Sequence, residues 1–209
     1  MQRLRVHNFT ISLDGYVAGP DQSFDNPLGV GGRDLHQWAF AVMNAGPDSD
    51  VSPVDRRFME QREIGAGATI MGRNMFGPIR GDWGDDRWTG WWGDDPPYHH
   101  PVFVLTNHPH DPIPMAGGTT FHFVTDGIES ALEQARAAAG DRDVAIAGGA
   151  STVRQYLAAG LLDELNLHIA PVVLGGGERL LEDVGDPALE LVEVSGTPGA
   201  AHVRCRVIR

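Results

Sequence analysis

The chain has 209 residues, of which 42% are hydrophobic and 21% charged, and its formal net charge is −12. This length suits one domain with a substantial core, and we expect residues 1–209 to form it. The acidic charge argues against binding to nucleic acid or to an anionic membrane surface, because like charges repel. All 16 basic residues are Arg. A Schiff-base lysine is therefore excluded, and Arg is the only permanently charged cation available to hold phosphate groups.

Cysteine content and the lengths of apolar segments exclude further classes of protein. Cys205 is the single cysteine, so an intrachain disulfide and a Cys-rich zinc site are excluded. No window approaches the ~20 apolar residues of a membrane helix, and the first residues lack a signal peptide's apolar segment. We therefore expect a cytoplasmic protein without a membrane role. Four neighbouring histidines lack a carboxylate at ligand-like spacing, so we predict no metal site there; they are His99, His100, His108 and His110.

Predicted strands and helices alternate along most of the chain. We predict a strand over residues 6–13, helices from residues 34 and 52, buried strands over 68–71, 102–105, 120–124 and 144–147, and helices from 127 and 151. Residues 77–100 are predicted to form a surface loop. A half-buried strand over 164–169 and a hairpin around 197–199 complete the chain. This order predicts a three-layer αβα domain whose central sheet is mostly parallel, with an antiparallel C-terminal edge.

The sharpest local signal is the pair Gly148-Gly149, where a buried strand runs directly into a helix that begins near Ser151 and Thr152. Glycines let the backbone approach a ligand closely, and a helix N-terminus offers free N–H groups and partial positive charge to a pyrophosphate. The G-x-G-x-x-G pattern of the ordinary Rossmann fold is absent. Taken alone, such a Gly-Gly pair is more often only a tight turn.

Two further strand ends carry residues that suit an anionic ligand. Gly72 and Arg73 follow one predicted strand, and Thr106 and Asn107 follow the next. An arginine can bind phosphate through its guanidinium, although an exposed arginine at a helix start needs no ligand. Ligands of open α/β sheets bind at the carboxyl ends of the strands. We therefore predict that the three junctions share one binding site.

The motifs Ile70-Met-Gly-Arg-Asn-Met-Phe76, Val104-Leu-Thr-Asn107 and Ile146-Ala-Gly-Gly-Ala150, in this order, resemble the dihydrofolate reductase superfamily. Ser12-Leu-Asp-Gly15 and Pro171-Val-Val-Leu-Gly-Gly-Gly177 make the chain more similar to the reductase domain of riboflavin biosynthesis and its stand-alone bacterial relatives. The resemblance extends from about residue 5 to residue 208 and implies a dihydrofolate reductase-like fold.

The resemblance also implies NADPH as the cofactor and assigns its contacts. The pyrophosphate would lie over Gly148, Gly149, Ala150, Ser151, Thr152 and Val153. The adenosine and its 2′-phosphate would lie among Gly72, Arg73, Asn74, Thr106 and Asn107. The nicotinamide and diphosphate would be bordered by Val17, Ala18, Gly175, Gly176 and Gly177. Relatives in this branch pair through their sheets, so we expect a homodimer. Its apolar contact surface could come from Leu165, Leu167 and Ile169, together with the late glycine-rich loop and the tryptophan-rich segment.

The proton donor is left open between two aspartates. Asp34 stands near the place where dihydrofolate reductases hold their substrate with a carboxylate, but it equally suits a plain helix N-cap. Asp14 is the rival candidate, because the riboflavin branch carries a similar Ser-Leu-Asp-Gly turn, although such an aspartate can also serve simply to bond its own backbone. If the helix after Asp34 is placed correctly, His36 and Trp38 lie near the substrate, although core packing also suits Trp38.

The expected reaction is hydride transfer from NADPH to a carbon–nitrogen or carbonyl double bond of a small heterocyclic or sugar-derived substrate. The family's reference substrate is the ribosylamino-pyrimidine phosphate of riboflavin biosynthesis. The sequence departs from that enzyme in its tryptophan-rich acidic loop and in having only Arg33, Arg80 and Arg87 as nearby candidates for the ribose phosphate. The alternatives are a dihydrofolate-type pterin reductase and a protein that binds NADPH without turnover.

Overall fold

The computed structural model describes residues 2–46, 49–61, 64–78, 81–84 and 88–208, and eleven strands form two sheets within these ranges. Their bounds are β1 Leu4–Ser12, β2 Tyr16–Ala18, β3 Ala66–Gly72, β4 Pro101–Leu105, β5 Ile113–Pro114, β6 Thr120–Val124, β7 Asp143–Gly148, β8 Glu164–Ala170, β9 Glu178–Arg179, β10 Ala188–Gly196 and β11 Ala201–Ile208. Nine strands form the main sheet, whereas β2 and β9 pair with each other.

The main sheet has the order β10-β11-β8-β1-β7-β3-β4-β6-β5. The central strands from β8 to β6 run parallel, with β1 paired to both β7 and β8. At one edge β11 and β10 are antiparallel, and at the other edge β5 is antiparallel to β6. The predicted parallel centre and antiparallel C-terminal edge are therefore confirmed.

Helices cover both faces of the sheet. The α-helices are α1 Gln37–Met43, α2 Pro53–Gln61, α3 Arg73–Phe76, α4 Gly127–Ala139 and α5 Ala150–Ala158, and a 3₁₀ helix over Gly32–His36 precedes α1. The apolar sides of α4 and α5 pack on one face, against Leu4, Ile70 and Ile146, which are fully buried. Each of these side chains contributes ~1.5–3 kcal/mol of burial free energy. No helix in the described ranges is long and apolar enough to cross a bilayer.

The opposite face is covered by α1, α2 and an aromatic segment, the stretch that carries Trp83, Trp88, Trp91 and Trp92. These elements form the third of the three predicted layers. Two expectations about this face were wrong. The strand β8 is not half-buried, because Trp38 and Phe58 pack over His168, with ring centroids 4.5 and 5.8 Å away. The tryptophan-rich stretch is not a simple surface loop either. Trp83, Trp88 and Trp92 pack on the apolar cluster around Phe76 and Phe121.

Hydrogen bonds from two indole N–H groups hold these tryptophans against the sheet. The indole N–H of Trp88 donates to the Phe76 carbonyl at 2.9 Å, and that of Trp83 donates to the His108 carbonyl at 2.9 Å. A buried indole is stable where its N–H finds an acceptor. The segment therefore behaves as a packed part of the domain.

Candidate functional site

A cleft of about 950 Å³ runs along the carboxyl ends of the central strands. Its lining includes residues 147–152, 72–75 and 105–108, which are the three strand–helix junctions singled out in the sequence. They meet because β7, β3 and β4 are parallel neighbours and therefore end at the same edge of the sheet.

The Gly148-Gly149 turn forms one wall of the cleft and opens α5. The peptide between the two glycines is cis, and Gly149 is the N-cap of the helix at φ −79°. The N–H groups of Thr152 and Val153 donate to the Gly149 carbonyl at 3.1 and 3.2 Å. The earlier N–H groups, of Ala150 and Ser151, cannot reach an acceptor within the helix. A helix start with such donors attracts anions.

Two glycines show how closely a ligand could approach here. A Cβ added to Gly149 would meet no atom within 4 Å, so this position borders open space in the cleft. By contrast, a Cβ on Gly72 would lie 2.6 Å from the Thr152 hydroxyl. Glycine at position 72 therefore allows β3 and α5 to approach each other, and glycine at 149 leaves room in front of the helix.

Arg73 is a fixed cation at the other end of this wall. Its guanidinium donates from Nη1 to the Thr106 hydroxyl at 3.2 Å and lies 3.7 Å from the Trp83 ring centroid. The hydrogen bond of Trp83 to the backbone of His108 holds the ring in place. A guanidinium that is stacked and hydrogen-bonded loses little further freedom when it binds a phosphate. Asn74 and Asn107 are exposed beside it.

The remaining part of the cleft is more apolar. It is lined by Val17 and Ala18 from β2, by His36 and Phe40 from the first helical segment, and by a further set that includes Phe9, Thr10, Pro27, Leu28, Trp91 and Trp92. Burial lowers the pKa of His36 below its ordinary value, so its imidazole is neutral near pH 7. A flat apolar substrate portion fits such walls.

Neither predicted aspartate lines this cleft. Asp34 is exposed on the 3₁₀ helix, while the neighbouring His36 is a lining residue. The carboxylate of Asp14 accepts the backbone N–H groups of Leu174 and Gly175 at 3.1 and 2.7 Å. Hydrogen bonds from Ser12 and from these N–H groups lower the pKa of Asp14 to about 2. Asp14 is therefore ionised at neutral pH and ties the late glycine-rich loop to the turn after β1.

Other predicted residues lie behind the cleft or beside it. Trp38 is buried, and its indole N–H donates to the Thr10 hydroxyl at 3.2 Å, so it supports the cleft from the core. Val153 is fully buried inside α5. Gly175, Gly176 and Gly177 are not among the lining residues, although Gly177 lies against the backbone of Ala18 and Gly19. Arg33 is exposed, whereas Arg80 and Arg87 lie outside the described residues.

Some lining residues were missed in the sequence. Thr125, Gly127 and Ile128 follow β6 and belong to a fourth strand–helix junction, which the same strand-end reasoning could have found. Asn8 enters the lining through an irregularity in β1, for which the sequence carries no clear signal. Within the ranges described, no three His, Cys, Asp or Glu side chains converge as a metal site.

The mostly parallel sheet, with helices on both faces and a cleft at its strand ends, places the chain in the class of open α/β proteins. The particular family follows from the sequence comparison. Residues 6–203 match the family described as the RibD C-terminal domain. The chain belongs to this family, and the family relationship predicted from its motifs is confirmed.

Solved structures show the same fold at low sequence identity. A candidate riboflavin biosynthesis protein from Shewanella sp. PV-4 is 21% identical with a TM-score of 0.62, and the match covers 100% of both chains. The diaminohydroxyphosphoribosylaminopyrimidine deaminase/5-amino-6-(5-phosphoribosylamino)uracil reductase of Thermotoga maritima is 14% identical with a TM-score of 0.59; the match covers 99% of this chain and 57% of that one. The Bacillus subtilis protein YyaP, itself uncharacterised, is 39% identical over 62 residues, which is 30% of this chain and 32% of YyaP.

Proposed function

We propose that this protein is an NADPH-dependent reductase that transfers a hydride to a heterocyclic or ribosylamino-pyrimidine substrate of the riboflavin-pathway type. The observation that carries the proposal is the meeting of Gly149 and Arg73 in one cleft. One residue leaves space before a helix N-terminus, and the other supplies a fixed cation. Membership of the RibD C-terminal domain family supports the riboflavin-type chemistry.

The residues on the cleft wall fit the parts of NADPH. The N-terminus of α5, with Ala150 and Ser151, suits the pyrophosphate because it offers backbone N–H donors and partial positive charge. Arg73 and Thr106 suit the 2′-phosphate, which a guanidinium binds with charge-assisted hydrogen bonds. Val17 and Ala18 would border the nicotinamide. When bound, NADPH supplies the hydride.

The protein's own contribution would be orientation and exclusion of water. Beside the cleft, Phe24 contacts Trp88 and the lining residue Trp91 at ring-centroid distances of 5.9 and 6.1 Å. Aromatic walls hold a flat substrate by its faces and keep water away from the reacting atoms. The neutral imidazole of His36 can hydrogen-bond a polar substrate group. Because a neutral imidazole is a poor acid, we propose that the proton comes from water.

The two alternative functions differ from this proposal in one observable each. A pterin reductase of the dihydrofolate type would need a carboxylate facing the substrate, and the exposed position of Asp34 does not favour it. A protein that binds NADPH without turnover would share the cofactor wall and lack any substrate-dependent oxidation of NADPH.

The experiment is a turnover assay on the purified protein. We expect NADPH oxidation with 5-amino-6-(5-phosphoribosylamino)uracil or a related ribosylamino-pyrimidine, and no oxidation with dihydrofolate. Loss of this turnover in Arg73→Gln, but not in Arg57→Gln, would tie it to the cleft. Arg57 is a suitable control because it also stacks on an aromatic ring, Phe58 at 4.7 Å, but does not line the cleft. If the protein oxidised NADPH with dihydrofolate but not with a ribosylamino-pyrimidine, the proposal would be contradicted.

We also propose that the protein is a homodimer, with a different surface from the one expected. Leu165 and Leu167 are buried in their own subunit and cannot serve as contact residues. The edge strand β10 instead exposes 61% of Leu191 and 57% of Val194. Unpaired edge strands with apolar side chains are suited to association. Light scattering at micromolar concentration should give twice the 22.6 kDa chain mass; a monomer would refute the proposal.

A further inference from the structure

A smaller chamber of about 170 Å³ adjoins the cleft on the face of the sheet that carries the aromatic segment. Four residues line both spaces: Asn8, Met75, Trp92 and Ala147. The remaining walls of this side chamber are formed by His7, Thr69, Pro97, Tyr98, Ala145 and Ile146. A ligand portion in the chamber would therefore lie next to a ligand portion in the cleft.

An irregularity in β1 brings two consecutive polar residues to this chamber. The pairing of β1 with β8 shifts register between Val6 and Phe9, and both of these residues are buried in the core shared with α4 and α5. His7 and Asn8 lie between them and both line the chamber. Asn8 has φ 57°, a left-handed conformation that Asn tolerates better than most residues. Bulges of this kind redirect side chains beside binding sites.

Two acceptor atoms in this bulge have no hydrogen-bond partner among the described residues. They are His7 Nε2 and Asn8 Oδ1, and both are shielded from solvent. The other ring nitrogen of His7 donates to the backbone of Gln61, which leaves the Nε2 lone pair available in the neutral ring. Burial and the nearby Arg5 guanidinium lower the pKa of His7 to about 4, so the ring is neutral at physiological pH.

The nitrogen of the Asn8 side-chain amide determines how this amide is oriented. Its Nδ2 donates to the Met59 sulfur at 3.5 Å, and this contact assigns the oxygen to the unpartnered side. Buried acceptors that lack partners are destabilising, and ligands that bring donors to them are bound selectively. A ligand group with two N–H donors would satisfy both acceptors.

We propose that the side chamber binds a six-membered heterocycle that carries amino N–H donors, with these donors directed to Asn8 Oδ1 and His7 Nε2. The size agrees, because an engineered cavity of about 150 Å³ in another protein holds benzene. Trp92 and Tyr98 supply aromatic walls, and side-chain adjustments of the kind common on binding would bring the two acceptors to the ligand. The further statement that this ring is part of the reductase's own substrate rests on the proposed function.

The test uses 4-aminopyrimidine and 4-methylpyrimidine as probes, since the two have nearly the same shape and only the first has an amino group. Titration calorimetry on the intact protein should show the amino compound binding at least tenfold more tightly. His7→Phe and Asn8→Gly should each reduce this preference below threefold. Glycine suits the second position because it adopts the left-handed conformation without strain.

Matched controls separate the chamber from general effects. His122→Phe replaces another half-buried histidine, stacked on Phe103, that lines neither space. Asp183→Gly replaces another left-handed residue, at φ 54°, away from both spaces. Both controls should keep the preference for 4-aminopyrimidine. If one chamber variant fails to fold, as judged by its melting curve, the other still decides the outcome.

Equal affinity of the two probes for the parent protein would overturn the proposal, and so would an undiminished preference in both folded chamber variants. NADPH titrations of the same proteins keep the two proposals distinguishable. Normal NADPH binding without a preference between the probes refutes the chamber alone. A clear preference in a protein that does not bind NADPH supports the chamber and refutes the proposed reductase.

Discussion

Replacing Gly149 by Val tests the cofactor wall at its most open point. The added Cβ meets no protein atom within 4 Å, and φ −79° is an ordinary value for valine, so the fold should accept the change. The two new methyl groups would occupy the space in front of Ala150 and Ser151. A bound pyrophosphate would then lose contacts with backbone N–H groups, each worth ~1.5–3 kcal/mol because the acceptor is charged.

We expect Gly149→Val to weaken NADPH binding by at least about tenfold, the equivalent of ~1.4 kcal/mol, in a fluorescence titration. The melting temperature should change by no more than ~4 °C, which corresponds to about 1 kcal/mol for a protein of this size. Gly196→Val is the matched control, since its Cβ also meets nothing within 4 Å and it lies at the end of β10. Unchanged NADPH affinity in a folded Gly149→Val protein would show that the turn is only structural.

Three further predictions follow from the site and from the buried histidines. Arg73→Gln should bind NADPH and NADH equally, because the guanidinium beside Thr106 is the group expected to contact the 2′-phosphate; a retained preference would refute this role. Asp34→Asn and Asp14→Asn should keep kcat per folded molecule, since neither residue lines the cleft; a loss of about 100-fold in either would show that it is a general acid after all. The protein should become less stable below pH ~6.5, because burial and the neighbouring His202 lower the pKa of His168 to about 3.

The sign of this last effect follows from the proton balance. A histidine that is neutral in the fold and titrates near 6.5 when unfolded binds more protons in the unfolded state as the pH falls. The free energy of unfolding therefore keeps its full value above pH ~6.5 and falls as the pH decreases toward ~3. At pH 5 the loss due to His168 is ~2 kcal/mol. Urea unfolding at pH 7 and pH 5 measures it. His168→Phe should lessen the difference, and an undiminished difference in that folded variant would contradict the assignment.

The sequence predicted the sheet well because strand–helix alternation and short apolar runs are local signals. The run over β6 and the hairpin of β10 and β11 were found on such patterns. Burial on the second face of β8 could not be read from alternation, because His168 and Asn166 are polar. His168 is buried by Trp38 and Phe58, which come from distant parts of the chain, and its Nδ1 contacts His202 Nδ1 at 2.7 Å.

The candidate site was predictable where it depends on strand ends and unpredictable where it depends on side-chain direction. Parallel neighbours must end together, so Gly149, Arg73 and Thr106 could be grouped from their motifs. Whether an aspartate at a helix start faces the cleft depends on one or two residues of helix register. The 3₁₀ turn before α1 leaves Asp34 exposed and brings His36 to the lining instead. The bulge that exposes Asn8 to the cleft is set by pairing with β8.

The most direct test of the proposed cofactor is a pair of fluorescence titrations of the unmodified protein, one with NADPH and one with NADH, at the same ionic strength. The two nucleotides differ only in the 2′-phosphate, and a charge-assisted contact with Arg73 is worth ~1.5–3 kcal/mol. We therefore predict that NADPH binds at least about tenfold more tightly than NADH. Equal affinity, or no binding of either nucleotide, would contradict the proposal that this cleft is the NADPH site of a reductase.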